Sequence, residues 1–364
     1  MKVRRIIYGV SGEGSGHSSR ALEIGRHLQA QGHHVKMVSY DRGYRNLSEV
    51  FDVQEIEGLH IVSEDNRVRL LKTAWHNLRR SRQGWRRLRE LRRVFREFQP
   101  DVVLTDFEPT TAWLAKLSGT PLISVDNQHR MRYMAYRAPF SLWRSRLVAV
   151  SVIRMMIPPP DAALATTFYQ GKVMSPRLHL FPPILRREVL ACEPAPGDHF
   201  LVYVTRHFRR LSDVLAAFPD RRFVVYGSDG DIGLPNVVCK PFSRDGFLND
   251  LRTSRGVVAT AGFTLISEAL YLGKPYLAMP LVGQFEQQLN ALFLEDMGLG
   301  VRVTDVTVAE LQYFFDALPE LSAAARKYAA AERQTPSLAN HLITAKLDQL
   351  LACLQQGTRA LPLL

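Results

Sequence analysis

A glycine-rich segment near the N-terminus, Gly9–His17, could bind an anion. It lies between a predicted strand and a predicted helix, where backbone N–H groups and the positive end of the helix dipole can receive a phosphate. The spacing is G-x-G-x-G-H, so His17 occupies the position where a dinucleotide-binding fingerprint has its last glycine. The alternative interpretation is a strand-to-helix turn that needs glycine for its backbone angles.

A second group of polar residues in the C-terminal half suits the recognition of sugar hydroxyls. Its members are Gly262, Thr264, Glu268, Glu286, Gln287 and Asn290. A carboxylate is a good acceptor for a cis-diol, and amides both donate and accept hydrogen bonds toward hydroxyl groups. The alternative is a solvent-facing Glu268 and an ordinary polar helix face at Gln287 and Gln288.

Both groups lie in segments that alternate predicted strands with predicted helices. The first half contains strands at Val3–Val10, His34–Tyr40, Asp101–Thr105 and Pro121–Val125, and helices over Arg20–Gln31, up to Phe98 and from Thr110. The second half contains strands at Phe200–Val204, Arg222–Tyr226, Gly256–Ala259 and Pro275–Met279, and helices at Leu321–Arg333 and His341–Gln355. This alternation predicts an α/β fold with parallel sheets covered on both faces.

The chain is long enough for two domains, because 364 residues exceed the size at which a single core usually stops growing. Prolines at Pro158–Pro160, Pro182–Pro183 and within Glu193–Gly197 place the boundary in the middle of the chain. We therefore predict two Rossmann-like domains, residues 1–190 and 191–364. The terminal helix could return to the N-terminal domain.

Composition excludes several classes of protein. No uncharged apolar stretch approaches the roughly 20 residues that a membrane-spanning helix needs, and the N-terminus does not read as a signal peptide. Cys192, Cys239 and Cys353 lie far apart without a C-x-x-C pair, so neither a disulfide framework nor a cysteine metal site is indicated. A cytoplasmic location is expected.

The second polar group resembles the donor-binding half of the glycosyltransferase family that includes the N-acetylglucosaminyltransferase of peptidoglycan synthesis, family 28. The resemblance covers most of the chain, because Gly9–His17 matches the acceptor-side loop of that family, and it is closest to a branch of uncharacterised glycosyltransferases. It implies the GT-B fold, in which two Rossmann-like domains face each other across a cleft. The N-terminal domain would bind the acceptor and the C-terminal domain the nucleotide sugar.

The resemblance also implies a donor site. Its residues are Arg206, Phe242, Gly262, Phe263, Thr264, Glu268, Glu286, Gln287 and Asn290. In that family a helix N-terminus faces the UDP diphosphate, and a glutamate within the helix binds the ribose hydroxyls. Acid or amide side chains further along the chain form hydrogen bonds with the hydroxyls of the sugar. One departure is Tyr203–His207, which replaces a glycine-serine-rich phosphate loop. Arg206 could supply the phosphate-binding charge there instead.

The implied reaction is an inverting transfer that needs neither metal nor cofactor beyond the UDP-sugar donor. Many retaining GT-B enzymes carry a glutamate where this chain has Thr260, which favours inversion. The candidate general bases are His17, Asp106, Glu108 and His129, of which His17 is preferred for its place on the loop. The implied acceptor-binding residues are Gly12, Gly14, Gly16, His17 and Asn127.

A basic segment indicates an anionic partner. Between Arg67 and Arg96 there are twelve Lys or Arg residues against one acid, Glu90, in a chain of net charge +12. With its tryptophans this segment suits an anionic membrane surface, and Phe140–Ile157 could extend the same surface. A lipid or lipid-linked acceptor and a peripheral position at the inner face of the cell membrane are therefore expected. The alternative is a solvated helix whose apolar face packs inward.

Three other functions use parts of the same pattern. A UDP-sugar epimerase on the same fold would use the donor site but no large acceptor. A nucleic-acid-binding protein would explain the arginines but leave Gly262–Asn290 unused, and no nucleic-acid partner is expected. A dinucleotide oxidoreductase is disfavoured because His17 replaces the last fingerprint glycine.

Overall fold

The structure is a computed structural model that describes residues 2–14, 16–58, 63–64, 67–68, 81–203, 211–228, 230–334 and 338–354. These residues form two compact units. The first unit contains the residues up to Arg186 together with the C-terminal helix, and the second contains those from Arg187 to Gln334.

The first unit is built on a parallel sheet. Its strands are β1 (Arg5–Val10), β2 (His34–Ser39), β3 (Val53–Glu55), β4 (Ser63–Glu64), β5 (Arg67–Val68), β6 (Val102–Asp106), β7 (Leu122–Asp126), β8 (Met134–Ala135), β9 (Ala162–Thr166), β10 (Lys172–Val173) and β11 (Leu178–Phe181). Seven of them form one sheet in the order β11-β9-β7-β6-β1-β2-β3, with every pairing parallel. The short β4–β5 and β8–β10 pairs are antiparallel.

Helices cover both faces of this sheet. They are α1 (Gly16–Ala30), α2 (Asp41–Ser48), α3 (Ser81–Phe98), α4 (Pro109–Ser118), α5 (His129–Tyr133) and α6 (Trp143–Met156), the last preceded by a 3-10 turn at Phe140–Leu142. All residues of β6 and β7 are buried. Strands enclosed on two sides read as continuous apolar runs, which is why these segments were recognisable in the sequence.

The second unit repeats the plan with a smaller sheet. Its strands are β12 (His199–Tyr203), β13 (Arg222–Tyr226), β14 (Val237–Lys240), β15 (Val257–Thr260), β16 (Tyr276–Met279) and β17 (Gly300–Arg302), paired in parallel in the order β14-β13-β12-β15-β16-β17. Its helices are α7 (Arg187–Leu190), α8 (Leu211–Ala216), α9 (Arg244–Thr253), α10 (Phe263–Tyr271), α11 (Phe285–Asp296), α12 (Val308–Asp316) and α13 (Leu318–Arg333). The predicted α/β fold with parallel sheets is confirmed.

The C-terminal helix, α14 (Leu338–Cys353), packs against the first unit rather than the second. Leu347 is fully buried in the core cluster that lines one face of the first sheet. Asn340 exchanges two hydrogen bonds with the backbone of Leu185, and His27 of α1 contacts Asp348 at 2.9 Å. Helix α14 therefore completes the core of the first unit.

We expect Leu347→Ala to lower the free energy of unfolding by about 2–5 kcal/mol, because truncation of a buried leucine leaves a cavity. Leu342→Ala on the same helix is the control, since Leu342 is exposed and should change stability by no more than about 0.5 kcal/mol. All four tryptophans precede Arg187 in the sequence, so urea unfolding followed by tryptophan fluorescence reports the first unit. Equal stability of the two variants would contradict this assignment of α14.

Candidate active site

The glycines of the Gly9–His17 loop are required for different physical reasons. A Cβ on Gly12 would lie 2.1 Å from the carbonyl oxygen of Tyr40, so this glycine allows two backbone segments to approach closely. Gly14 has φ of +76°, a left-handed conformation that favours glycine, and the space in front of it is open. Gly16 is the first residue of α1. The loop is thus both a packed turn and an open end of a helix.

His17 is oriented by Asp106. Its Nδ1 lies 2.6 Å from Oδ1 of Asp106, the last residue of β6, which pairs in register with Val10 of β1. Because a carboxylate oxygen only accepts, Nδ1 donates to Asp106, and in a neutral imidazole Nε2 is then the acceptor. Asp106 is fully buried, whereas the His17 side chain is 16% exposed. The imidazole is therefore oriented through Nδ1 and has surface that a ligand can reach.

Arg20 holds the same carboxylate from the other side. Its Nε and Nη2 donate to Oδ2 and Oδ1 of Asp106 at 2.7 and 2.6 Å. Burial opposes the charge on the guanidinium, but the attraction of Asp106 outweighs it and raises the pKa of Arg20 above its ordinary value. The sequence prediction missed this residue. Its signal is the G-H-x-x-R spacing, which places Arg20 one helical turn after His17.

Glu108 serves as the N-cap of α4. Its carboxylate accepts hydrogen bonds from the backbone nitrogens of Thr110 and Thr111, both at 2.7 Å, and from Oγ1 of Thr111. Burial raises the pKa of Glu108 despite these three hydrogen bonds. Gly9 is needed beside them, because a Cβ there would lie 1.9 Å from Oγ1 of Thr111. The geometry accounts for Glu108 as a cap rather than as a base.

His129 is fully buried beside another carboxylate. Its Nδ1 donates to Oδ2 of Asp126 at 2.6 Å, and its backbone nitrogen donates to Oδ1 at 2.9 Å. Burial alone would raise the pKa of Asp126, but the charge of His129 and hydrogen bonds from His129 and Ser124 hold it well below its usual range. Asn127, a predicted acceptor residue, is also buried. Among the four predicted bases, His17 alone has more than marginal exposed surface.

In the second unit the N-terminus of α10 is open. Gly262 is the N-cap, and among the described residues no side chain caps the helix and no atom lies within 4 Å of a Cβ built at Gly262. The first N–H groups of a helix lack partners within it and attract anions. Thr264 lies partly buried in this first turn and Glu268 is buried one turn further along. The arrangement suits a diphosphate.

The amides that follow help to build the surrounding loops. Asn290 is fully buried and donates to the carbonyl oxygen of Ala261 at 2.8 Å. Gln287 accepts a hydrogen bond from the backbone nitrogen of Leu281 at 3.1 Å. Glu286 lies in the first turn of α11 and is partly buried. The structure therefore gives Asn290 a positioning role beside the α10 terminus and Gln287 a role in holding the loop after β16.

An exposed aromatic side chain lies after β14. Phe242 is 61% exposed. Its ring centroid is 5.7 Å from that of Phe247 and 6.4 Å from that of Tyr203. One face of an aromatic cluster is thus available for stacking, whereas Phe263, at the start of α10, is buried. The remaining predicted donor residue, Arg206, lies outside the described residues.

Comparison with known proteins identifies the family. A model of glycosyl transferase family 1 matches residues 4–319, so the chain belongs to this family. An uncharacterized glycosyltransferase of Methanosarcina acetivorans is 26% identical over 335 residues, which cover 84% of this chain and 85% of that protein. The glycotransferase of kitacinnamycin matches with a TM-score of 0.70 at 19% identity, over 96% of this chain and 99% of that one. Phytolacca americana UGT2, complexed with UDP-2fluoro-glucose and pterostilbene, matches with a TM-score of 0.66 at 12% identity, over 95% and 100% of the two chains.

The chain is therefore a glycosyltransferase, and its predicted GT-B fold class is confirmed by these structural neighbours. The matching model is that of family 1, so the predicted likeness to family 28 and its peptidoglycan enzyme is not confirmed. The epimerase alternative receives no support from the matches.

We expect Glu108→Ala to lower the free energy of unfolding of the first unit by about 1–3 kcal/mol, because two backbone N–H groups lose their acceptor. Glu108→Gln should lower the stability less than Glu108→Ala, since its one amide oxygen can still accept from one of the two backbone N–H groups. Glu49→Ala, at an exposed position after α2, is the control for loss of charge. If the two variants Glu108→Ala and Glu49→Ala have the same free energy of unfolding in urea, Glu108 does not stabilise α4 as its cap.

Proposed function

We propose that this glycosyltransferase moves a sugar from a UDP-sugar to an acceptor hydroxyl with inversion, using His17 as the general base. The observation that carries the proposal is the 2.6 Å contact between His17 Nδ1 and Asp106, which leaves Nε2 as a proton acceptor. Histidine is the side chain most often used as a general base, and a carboxylate that fixes one ring nitrogen orients the other toward the substrate.

In the proposed reaction, Nε2 of His17 takes the proton of the acceptor hydroxyl while that oxygen forms a bond to the anomeric carbon. The bond from the anomeric carbon to the phosphate oxygen breaks, and UDP leaves with the electron pair. Asp106 stabilises the imidazolium while it exists and keeps the ring from rotating. The open N-terminus of α10 would stabilise the charge on the leaving diphosphate.

Three features of the second unit support a UDP-sugar as the donor. The α10 terminus offers N–H groups to a diphosphate, Glu268 lies one turn beyond it, and the exposed ring of Phe242 could stack on a base. The Phytolacca enzyme was solved with UDP-2fluoro-glucose, which is the same class of donor. Inversion is supported by Thr260, which stands where many retaining enzymes carry a glutamate. We propose that no resident metal or cofactor takes part.

The acceptor is proposed to be lipid-linked or otherwise anionic, and the enzyme to work in the cytoplasm at the inner face of the membrane. The net charge of +12 and the arginines between Arg67 and Arg96 support an anionic partner. No helix in the described part of the chain is long and apolar enough to cross a bilayer. Any membrane contact of these residues would therefore be made from the surface.

Glu268→Ala should weaken UDP binding about 5- to 150-fold, because ribose hydroxyls and their neighbours would lose an acceptor worth roughly 1–3 kcal/mol. Isothermal calorimetry with UDP measures this directly. Glu320→Ala is the control, since Glu320 is an exposed residue of the same unit outside the proposed site. NAD should not bind either protein. An unchanged UDP affinity in a folded Glu268→Ala protein would remove Glu268 from the site.

His17→Ala should reduce the rate at which UDP is formed from the UDP-sugar by about 10²- to 10⁴-fold, because the proposed base is lost. The affinity for UDP should change little. The substrate is the UDP-sugar that most raises the melting temperature in a thermal-shift screen. His34→Ala, an exposed histidine, is the control. His129→Ala tests the rival base. If that variant abolishes UDP release while His17→Ala remains near normal, the assignment is wrong.

A further inference from the structure

The described part of α3 carries less free charge than its sequence suggested. Arg86 pairs with Glu90 at 3.1 Å, Arg93 with Glu97 at 2.6 Å, and Arg87 with Glu55 at 2.8 Å. Two of these acids, Glu55 and Glu97, lie outside the basic segment Arg67–Arg96 and were not counted with it. Paired arginines attract an anionic surface less strongly than free ones. Within the described residues, three arginines of α3 are therefore already paired with carboxylates.

Helix α6 and the turn before it expose apolar side chains on a second face. The inner face packs through Val152 and Met156 on the core of the first unit. The opposite face presents Phe140, which is 84% exposed, followed by Trp143, Leu147 and Met155. The positions 143, 147 and 155 recur at helical spacing and so share one side. A helix that is apolar on both sides is expected to be covered on both.

The same segment carries only positive charge. Phe140–Met156 contains Arg144, Arg146 and Arg154 and no aspartate or glutamate. None of these three arginines forms an ion pair with any described residue. Arg144 instead stacks over the ring of Trp143, with its guanidinium carbon 5.3 Å from the centroid. Cations beside exposed aromatic and aliphatic groups are typical of helices that lie in a bilayer interface.

Helix α4 extends this face. Nε1 of Trp113 donates to the carbonyl oxygen of Met155 at 3.0 Å, which joins the two helices. Trp113 is itself exposed, and Leu117, one turn later, is 75% exposed. We call the set formed by Trp113, Leu117, Phe140, Trp143, Leu147 and Met155 the α4–α6 face. Single exposed apolar residues are normal, but several that adjoin one another mark an interaction site.

We propose that the α4–α6 face binds an anionic lipid bilayer, with its apolar side chains inserted at the headgroup level and Arg144, Arg146 and Arg154 against lipid phosphates. This inference rests on the proposed function in one respect, which is that a lipid-linked acceptor would give the enzyme a reason to lie at a membrane. Binding itself requires neither donor nor acceptor, so it can be measured separately from catalysis.

Charge and composition favour a bilayer over other occupants. A second copy of this face would bring its three arginines against three identical ones in a two-fold contact, which like charges oppose. A nucleic acid would pair with the arginines but leave the apolar side chains without a partner. An anionic bilayer offers phosphates and acyl chains together, and tryptophan favours the boundary between them.

The test is sedimentation with large unilamellar vesicles. Wild-type protein should bind vesicles of 70% phosphatidylcholine and 30% phosphatidylglycerol in low salt, bind pure phosphatidylcholine poorly, and release from the anionic vesicles near 0.5 M salt, where the Debye length falls to a few Å. Changing Arg144, Arg146 and Arg154 together to glutamine should weaken binding about 100-fold. Changing Leu147 and Met155 together to serine should also abolish sedimentation.

The matched control changes Arg86, Arg92 and Arg93 of α3 to glutamine, which removes the same charge elsewhere and should weaken binding much less. Quenching of tryptophan fluorescence by brominated lipid should be reduced in Trp143→Phe and retained in Trp85→Phe. Urea unfolding followed by tryptophan fluorescence, which reports the first unit, verifies that the variants are folded, and calorimetry measures their UDP binding separately. A failure to bind UDP beside intact vesicle binding would contradict the proposed function and leave this inference standing.

Three outcomes would overturn the inference. The first is wild-type protein that ignores anionic vesicles in low salt. The second is equal loss of binding in the α3 and α6 arginine variants, which would indicate net charge rather than this face. The third is a dimer in analytical ultracentrifugation that Leu147→Ser dissociates, which would make the face a contact between copies of the chain.

Discussion

Asp106 places a carboxylate in a fully buried position at the carboxyl end of β6. A buried charge is costly unless it is paired and hydrogen-bonded, and Arg20 meets this requirement with two hydrogen bonds. Removal of either group would leave the other as an uncompensated charge inside the first unit. Because His17 and Arg20 lie on adjacent turns of α1, the pairing that stabilises the fold also fixes the imidazole relative to the sheet.

The segment after Asp106 is held by the same contacts. Phe107 has φ of 56°, in the left-handed region that costs a non-glycine residue about 1–2 kcal/mol. The strain is tolerated because its neighbours on both sides, Asp106 and Glu108, are fixed by hydrogen bonds. The Phe107 ring in turn stacks on His17, with centroids 6.5 Å apart. The strained backbone at Phe107 thus accompanies an imidazole that is contacted on one edge by Asp106 and on one face by Phe107.

The sheets could be predicted because buried parallel strands leave a local signal; β13 spans the predicted Arg222–Tyr226. The position of His17 at the end of the glycine-rich loop could be read from the glycine spacing, and its role stays a prediction. The role of Arg20 was missed because its partner lies 86 residues away, and only its spacing from His17 distinguishes it locally from Arg26, which is partly exposed on the same helix. Glu108 and His129 were candidates because their side chains can titrate. Their burial depends on tertiary packing, which a single sequence does not display.

His17 lies in the first turn of α1, where opposing charges act on its ring. The Asp106 carboxylate lies on one side of Nδ1, and the Arg20 guanidinium, whose Nη2 is 3.3 Å from Nδ1, lies close to the same atom. Since Arg20 already pairs with Asp106 through two hydrogen bonds, the position of the carboxylate does not depend on His17, and the direction of its hydrogen bond orients the ring. The general base that we propose must be oriented during the reaction. One carboxylate, shared between a guanidinium and an imidazole, provides that orientation.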